Sequence, residues 1–329
     1  MHRAVAVAFC AVALSLPVAA QSAQCSAQPV ALRDACQKGT DIFTMLAPQV
    51  HAAIAGGGPV LASARAVNGL SVGLRINAVD ARIPDPSSTT LSTGGAVQGT
   101  IATSRVPLPA PVLDFAFSAF PGVFLGAQRV LSVEVLANVA YVPNRSVERF
   151  RVRTTDGSLK LGYGARVGLL SDRLLMPAVS ISYFRRSLPT SAFSTSFSNG
   201  SVLRTSDDSL TLNSLSIRND ALRLAISKRL GVFEIGGGAG QDTYHSFASL
   251  QTRVTPPVGV PVNGGVALTQ QIKRNTAYAS FALNISRLRI GAEAGATFGG
   301  DSIATYNTFT DGKLNDRRLF GSLGTRVSF

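Results

Sequence analysis

His245 is the residue of this sequence best suited to acid–base chemistry, because an imidazole changes charge near neutral pH. Asp242, Tyr244 and Ser246 lie beside it, and an aspartate, a histidine and a serine make up a hydrolase triad. In an extended strand, however, Asp242 and Ser246 project to the face opposite His245. We therefore assign no catalytic residue and interpret His245 as a hydrogen-bonding side chain near the end of its strand. A membrane-embedded hydrolase acting at the outer rim is kept as an alternative.

The stretch VFEIGGGAGQ, residues 232–241, has the glycines of a nucleotide-binding loop. The dinucleotide fingerprint G-x-G-x-x-G requires glycine at the position of Gln241, and no strand–helix–strand pattern surrounds it. Glycines at every second position (Gly236, Gly238 and Gly240) are instead typical of a strand that faces a narrow interior. The sequence therefore predicts no cofactor.

Cysteine usage predicts one disulfide and no metal site. Cys10 lies within residues 1–20, which are a predicted signal peptide, and Cys25 and Cys36 remain in the rest of the chain. Two thiols in an oxidising compartment are expected to pair, and closing so short a loop stabilises a fold by about 3 kcal/mol in the chain-entropy model. The alternative is two unpaired thiols. A metal site is disfavoured because no second pair of ligands lies nearby.

Residues 1–20 are typical of a secretory signal peptide. A basic start precedes an apolar run that ends in the small residues Val18-Ala19-Ala20. We expect cleavage after Ala20, or after Ala23 as a second choice, and export by the Sec route. Beyond the leader, no stretch approaches the roughly 18 uninterrupted apolar residues that a spanning helix needs.

The composition nevertheless favours a membrane protein, since 46% of the residues are hydrophobic and only 15% are charged. Backbone groups in lipid must be hydrogen-bonded within the protein, which only helices and closed sheets achieve. An exported chain without a spanning helix can therefore enter a membrane only as a closed barrel.

The stretch LKLGYGARVGLL, residues 159–170, alternates strictly between two kinds of side chain. One face carries leucine, tyrosine, alanine and valine, and the other carries Lys160, Arg166 and glycines. The same alternation recurs at 70–78, 130–141, 275–285, 288–298 and 319–329. An apolar outer face and a polar inner face in segments of about ten residues is the pattern of an outer-membrane barrel.

We predict an all-β fold: a transmembrane antiparallel up-and-down β-barrel of about ten strands. Their predicted bounds are 67–83, 97–107, 128–143, 151–170, 173–188, 211–230, 231–247, 271–286, 287–300 and 315–329. Tight connections at 171–173, 230–231 and 286–287 alternate with long polar ones at 84–96, 143–156, 188–209, 248–271 and 299–315, as expected for periplasmic turns and external loops. In the sixth strand, apolar residues change from odd to even positions after Ile217. This change predicts a β-bulge near Asn219-Asp220.

The inner faces of these strands carry more basic than acidic side chains. The predicted charge network consists of Arg75, Lys160, Arg166, Arg223, Arg289 and Arg326 with Glu134, Glu234 and Glu293. It suits either an anion-preferring pore or a salt-bridged, packed interior. About eight strands leave no open lumen and porins use 16–18, so ten strands favour the filled interior with at most a narrow path.

Two segments are predicted not to be strand. Residues 39–55 suggest a helix capped by Thr40 or Asp41, which Pro48 would kink or split. Residues 106–122 are rich in proline and then suggest a short helix at the periplasmic rim. We interpret both as cover for the rim of the barrel, with entry of the N-terminal helix into the barrel as the alternative.

The sequence ends on a predicted strand whose last residue is Phe329. An exported chain with this ending resembles bacterial outer-membrane β-barrel proteins, and the resemblance extends over about residues 67–329. It implies that the barrel assembly machinery of a Gram-negative bacterium recognises Phe329. The absence of Trp departs from the usual aromatic girdle and leaves Tyr and Phe to fill it.

These observations divide the chain into a signal peptide (1–20), an N-terminal periplasmic or plug segment (21–66) and a barrel (67–329). The formal charge of +13, or +12 once Arg3 is removed, favours contact with outer-membrane lipid and anionic lipopolysaccharide, and export argues against nucleic acid. We expect a porin-like protein with a structural or passive narrow-pore role and no enzymatic activity. The alternative is a transporter of small hydrophobic molecules, which resembles the long-chain fatty-acid transporter family only in having an N-terminal plug.

Overall fold

A computed structural model describes residues 21–67, 69–85, 89–142, 145–147, 150–197, 208–311 and 314–329. The predicted signal peptide lies outside the described residues. None of the helices in these ranges combines the length and the apolar character needed to cross a membrane.

Two helices and sixteen strands are assigned within the described residues. The helices are α1 (Ala23–Ser26) and α2 (Val30–Ala55). The strands are β1 (Leu70–Asp85), β2 (Thr100–Phe120), β3 (Val123–Leu125), β4 (Gln128–Val130), β5 (Ser132–Tyr141), β6 (Arg145–Val147), β7 (Phe150–Thr154), β8 (Leu159–Leu170), β9 (Ala178–Ser187), β10 (Ser191–Phe197), β11 (Asp208–Leu230), β12 (Phe233–Val254), β13 (Val262–Ile285), β14 (Leu288–Phe298), β15 (Thr308–Phe309) and β16 (Arg318–Ser328).

The strand pairings of the main sheet return to their starting point. Among the described strands, the order β1–β2–β5–β8–β9–β11–β12–β13–β14–β16 is antiparallel throughout, and β16 pairs again with β1. Strands β6, β7 and β10 extend the sheet beyond this ring along the first part of β11. The expected predominance of β-structure in a large antiparallel sheet is confirmed.

The ring has two different ends. At the turn end, the connections are 121–131, 171–177, 231–232 and 286–287, of which the first contains the β3–β4 hairpin. At the loop end, β12 and β13 continue to Val254 and from Val262, so that only seven residues join them. The long loop predicted at 248–271 is therefore wrong. Its alternating polar and apolar residues extend the two strands instead.

Helix α2 lies inside the ring, because it contacts β1, β2, β11, β12, β13 and β16. Of its 26 residues, 19 are buried, including polar ones on every face. Interpretation of this segment as cover for the rim is therefore wrong. The helix also begins nine residues before the predicted start at residue 39, because buried polar residues such as Asp34 and Lys38 interrupt the apolar pattern of its first turns.

Pro48 neither ends nor splits α2. A proline in a helix has no N–H for the carbonyl four residues earlier, which here belongs to Thr44. The side-chain amide of Gln270, on β13, donates to that carbonyl at 3.2 Å. The wall of the ring thus replaces the missing hydrogen bond, and the helix continues to Ala55.

Residues 106–122 form most of β2 rather than a loop and a helix, contrary to the prediction. Prolines occupy every second position at 107, 109 and 111. Since successive N–H groups of a strand point to opposite neighbours, these prolines remove donors from one edge only. Strand β2 pairs with β1 along this stretch, whereas β5 pairs with it only from Val112 onward.

The bulge of β11 lies earlier than predicted. Its register shifts between Asn213 and Ser216, and beyond that point the inward residues are odd-numbered without interruption. Leu215 and Ile217 thus point inward and pack against the cluster that contains α2. Apolar residues switch position along β11 because the interior changes from apolar to polar, not because the strand changes register at 219–220.

Candidate functional site

The interior of the ring has an apolar and a polar part. Towards the loop end, side chains of α2, among them Ile42, Phe43 and Leu46, pack against Leu210 and Leu250 of the wall. Towards the turn end, residues 56–67 connect α2 to β1 and are surrounded by buried charges. This connecting segment and its ion pairs form the candidate functional site.

Glu134 and Arg166 hold the last part of the connecting segment. Arg166 donates from Nε to Glu134, and its two terminal nitrogens donate to the carbonyls of Ser63 and Arg65, both at 2.9 Å. The backbone N–H of Val67 donates to the other carboxylate oxygen of Glu134. Each group of this ion pair therefore also binds backbone of the segment.

Glu234 and Arg289 form a second such pair. Arg289 Nη1 lies 2.6 Å from Glu234 Oε2, and the Ser63 hydroxyl donates to Oε1 of the same carboxylate at 2.9 Å. Arg289 also donates to the carbonyl of Ala62. The two pairs thus meet the segment at adjoining residues from different sides of the ring.

Glu293 and Arg75 hold the first part of the segment. The backbone N–H groups of Gly58 and Ala62 donate to Glu293, at 3.2 Å and 2.9 Å, and Arg75 donates to the carbonyl of Gly58 at 2.8 Å. Gly57 has a φ of +43°, and a Cβ there would lie 1.8 Å from a carboxylate oxygen of Glu293. Glycine is therefore required where the segment passes this carboxylate.

Sequence reasoning missed several charged residues of the interior, among them Asp114, Asp242 and Arg186. Asp114 pairs with Arg75 at 2.8 Å, Asp242 accepts from Arg223 at 2.7 Å, and Arg186 donates to the carbonyl of Ala55. Asp114 was hidden by the wrong assignment of β2. Alternation along β12 and β9 alone would have placed Asp242 and Arg186 on the inner face, because the even-numbered residues beside them in these strands also point inward.

The predicted network is brought together with one exception. Arg75, Glu134, Arg166, Arg223, Glu234, Arg289 and Glu293 are buried in the interior. The Nε and Nη1 atoms of Arg326 are also buried, but they have no hydrogen-bond partner among the described residues. Lys160 lies apart, at the loop end of β8, where its ammonium is 2.8 Å from Asp156. This hydrogen bond holds the pKa of the Asp156 carboxyl below its usual value.

The loop end fixes the start of α2. Asp34 pairs with Lys38 at 2.6 Å and accepts from the backbone N–H groups of Ser92 and Val97. Asp41 accepts from the backbone and the side chain of Asn307, at 2.8 Å and 2.7 Å. The predicted disulfide between Cys25 and Cys36 is confirmed, with a Cα–Cα distance of 5.4 Å, and it joins α1 to α2.

The histidines do not assemble a triad. His245 points outward, 3.5 Å from Asp220, whereas Ser246 points inward and lies 2.8 Å from Nε2 of His51. The His51 ring stacks on Tyr244 with ring centroids 4.5 Å apart. These inward groups are buried between α2 and β12, where they pack the helix against the wall.

Metal binding finds no support in the described residues, which contain no group of three histidine, cysteine or acidic side chains placed to hold an ion. Phe329, the predicted assembly signal, is exposed at the turn end, and its N–H donates to the carbonyl of Leu70 at 2.8 Å. Its recognition by an assembly machinery stays a prediction.

The sequence matches no protein-family model and no curated protein. Among solved structures, the CymD monoaromatic hydrocarbon channel is 12% identical, with 80% of this chain and 89% of that chain covered and a TM-score of 0.30. The channel DcaP of Acinetobacter baumannii is 12% identical over 80% and 97% of the two chains, with a TM-score of 0.17. OpdK from Pseudomonas aeruginosa is 9% identical over 80% and 99%, also with a TM-score of 0.17.

Proposed function

We propose that this protein is a ten-stranded outer-membrane β-barrel whose lumen is filled by its own N-terminal segment, with a structural or passive narrow-pore role. The observation that carries the proposal is the connecting segment 56–67, hydrogen-bonded to buried ion pairs inside a ring that exposes apolar side chains outward. Neither half of this observation would be expected of a water-soluble sheet packed on a single apolar core.

The outer surface supports membrane insertion through an apolar belt. The outward residues of β11 are apolar at 222, 224, 226 and 230, and those of β13 at 277, 279, 281, 283 and 285. Each set spans nine residues, close to the 9–11 of a tilted transmembrane strand. The outward side chains of Asp220 and Lys273 end the belt on the loop side. The belt therefore begins at the turn end, and the loop end extends beyond it.

The charged side chains at the level of the belt support a filled lumen. Arg75, Glu134, Glu234, Arg289 and Glu293 lie on its strands, and each makes a hydrogen bond with another of them or with the backbone of residues 56–67. A wide aqueous pore would leave such groups in water, where ion pairs contribute little. Buried charges that are paired with opposite charges and with backbone are instead typical of a packed interior. Helix α2 continues the filling towards the loop end.

Conductance across a planar bilayer tests this proposal. The full chain, refolded and shown to be folded by its heat-modifiable migration, should give little or no steady conductance. The double variant Glu134→Ala/Arg166→Ala removes both charges together, so no buried charge is left unpaired, and the hold on residues 63–67 is lost. We expect this double variant to show conducting events more often than the unmodified chain does. A steady, porin-sized conductance of the unmodified chain would contradict the filled lumen.

Transport of small hydrophobic molecules is the second candidate, and the apolar half of the interior favours it. Phe43 and Leu46 of α2 face apolar wall residues there, and such a surface could receive a small apolar molecule if the helix moved. Saturable binding of toluene by the folded protein, above the partition into empty micelles of the same detergent, would support this candidate. Partition equal to that of the empty micelles would exclude it.

A further inference from the structure

We propose that the turn end of the barrel is a docking surface for anionic phospholipid headgroups. The surface consists of four arginines, one from each turn, and of the exposed apolar residues beside them. The inference rests on the proposed function, because it requires the apolar belt to lie in a bilayer. It goes beyond that function by naming a lipid class and the residues that bind it.

The four connections of the turn end share one composition: each carries an exposed or half-exposed arginine next to exposed apolar side chains. The arginines are Arg129, Arg173, Arg229 and Arg287, and their apolar neighbours are Phe124 and Leu125, Leu174 and Leu175, Leu230 and Val232, and Ile285 and Leu288. Leu174 and Leu175 are 93% and 91% exposed. In water such residues would be unfavourable, whereas at a membrane surface they can enter the acyl region.

The charge of this end is strongly one-sided. Asp172 is the single acidic side chain in the four turns of the described chain, and it is already paired with Lys228 at 2.8 Å and with Arg65 at 3.7 Å. The four turn arginines have no carboxylate within ion-pair distance among the described residues. Their guanidinium groups are therefore available to an external anion.

The loop end differs, because several of its cations are paired locally. Arg105 pairs with Asp80, Lys160 with Asp156, and Arg185 with Asp220. The four turn arginines lack such a carboxylate partner among the described residues, whereas at the loop end Arg153 and Arg253 are exposed as well.

Phospholipid phosphates match this surface in geometry as well as charge. Arginine binds phosphate oxygens through two parallel N–H donors, and the arginines lie at the edge of the apolar belt, where headgroups begin. Arg129 also lies 5.1 Å from the centre of the Phe124 ring, so an apolar side chain and a cation are held together. Each cation near an anionic membrane surface is expected to raise affinity about fivefold.

The lack of Trp in the chain allows a site-specific test. Leu175→Trp reports from the turn end, and Leu224→Trp reports from the belt on β11. Each full-length variant is refolded into phosphatidylcholine vesicles that contain either brominated phosphatidylglycerol or brominated phosphatidylcholine at the same fraction. We expect the Leu175→Trp fluorescence to be quenched several-fold more effectively by the anionic lipid, and this preference to disappear at high salt.

Charge removal at the two ends of the barrel provides the matched control. In the Leu175→Trp background, Arg173→Gln/Arg229→Gln should bring the lipid preference, which is the ratio of quenching by the anionic lipid to quenching by phosphatidylcholine, close to one. Arg153→Gln/Arg253→Gln removes the same charge from exposed positions at the loop end and should leave the preference unchanged.

The belt reporter separates failure of this inference from failure of the proposed function. If both lipids quench Leu224→Trp but quench Leu175→Trp equally, the barrel is in the bilayer and the docking surface is wrong. A preference that survives both high salt and the loss of Arg173 and Arg229 also overturns it. If neither lipid quenches Leu224→Trp, the belt is not in lipid and both proposals fail.

Discussion

Arg166 and Glu134 are direct partners across β8 and β5, and neither side chain is more than 1% exposed. Their hydrogen bonds extend to Ser63, Arg65 and Val67. The ion pair therefore joins two neighbouring strands to the chain that fills the lumen. We expect the stability of the ring and the closure of its interior to depend on the same two charges.

Glu134→Ala should strongly destabilise the folded barrel. The substitution leaves Arg166 buried without its carboxylate and Val67 without its acceptor, and the loss of one partner of a buried pair costs about 3–5 kcal/mol. The measurement is a urea titration of the barrel in detergent or lipid. Val135→Ala, on the outer face of the same strand and 53% exposed, is the control and should cost far less. An unchanged midpoint for Glu134→Ala, accompanied by altered ion selectivity, would indicate an open, aqueous lumen.

Gln270 and Pro48 should be energetically coupled. Gln270→Ala leaves the Thr44 carbonyl without a donor, and an unsatisfied buried acceptor costs about 1–3 kcal/mol. In the Pro48→Ala background, residue 48 has its own N–H for that carbonyl, and Gln270→Ala should then cost much less. The coupling is measured by a double-mutant cycle of unfolding free energies. Additive effects of the two substitutions would show that Gln270 does not replace the missing hydrogen bond.

The Cys25–Cys36 disulfide should resist reduction in the folded protein. The two residues are 0% and 2% exposed, and thiol exchange requires a reductant to reach a sulfur atom. Treatment with dithiothreitol followed by alkylation and mass spectrometry should leave the folded chain unmodified and label two cysteines in the unfolded chain. Rapid reduction without unfolding would mean that the loop end opens around α1.

Acid should destabilise the packing of α2 through His51. Burial lowers the pKa of His51 to about 3, whereas the unfolded side chain has a pKa of about 6.5. Since the unfolded state binds the proton more tightly, stability is lost as the pH falls below that higher value, by about 2 kcal/mol between pH 7 and pH 5 for this group. Urea midpoints at the two pH values, compared with those of His51→Gln, measure the effect. The variant should have the weaker pH dependence, and an equal dependence would exclude His51 as its source.

Cysteine labelling on intact cells should place the two ends of the barrel on opposite sides of the membrane. Val258→Cys at the loop end and Leu174→Cys at the turn end are 90% and 93% exposed, so access alone cannot distinguish them. We expect a membrane-impermeant maleimide to label the first on whole cells and the second only after the envelope is broken. The reverse result would invert the orientation.

The sequence by itself determined the outward faces of the strands that alternate strictly, and it determined several of the tight turns. Side chains of a strand alternate with a period of two whatever lies around the strand, so the outer face of β8, from Leu159 to Val167, could be read directly. The tight turns at Gly231 and at Ser286-Arg287 are equally local, and so is the close spacing of Cys25 and Cys36.

Only the tertiary structure decided what fills the ring. The inner face of each strand matches the side chains that fill the ring, and those side chains come from distant parts of the chain. Leu215 and Ile217 resembled a register fault until α2 was found beside them, and Asp114 had no assigned partner until β2 placed it next to Arg75. The buried polar groups of α2 depend on partners from distant parts of the chain, such as Asn307 and Gln270. Such long-range pairings leave no periodic signal in the sequence, which is why the position of the plug could not be derived from it.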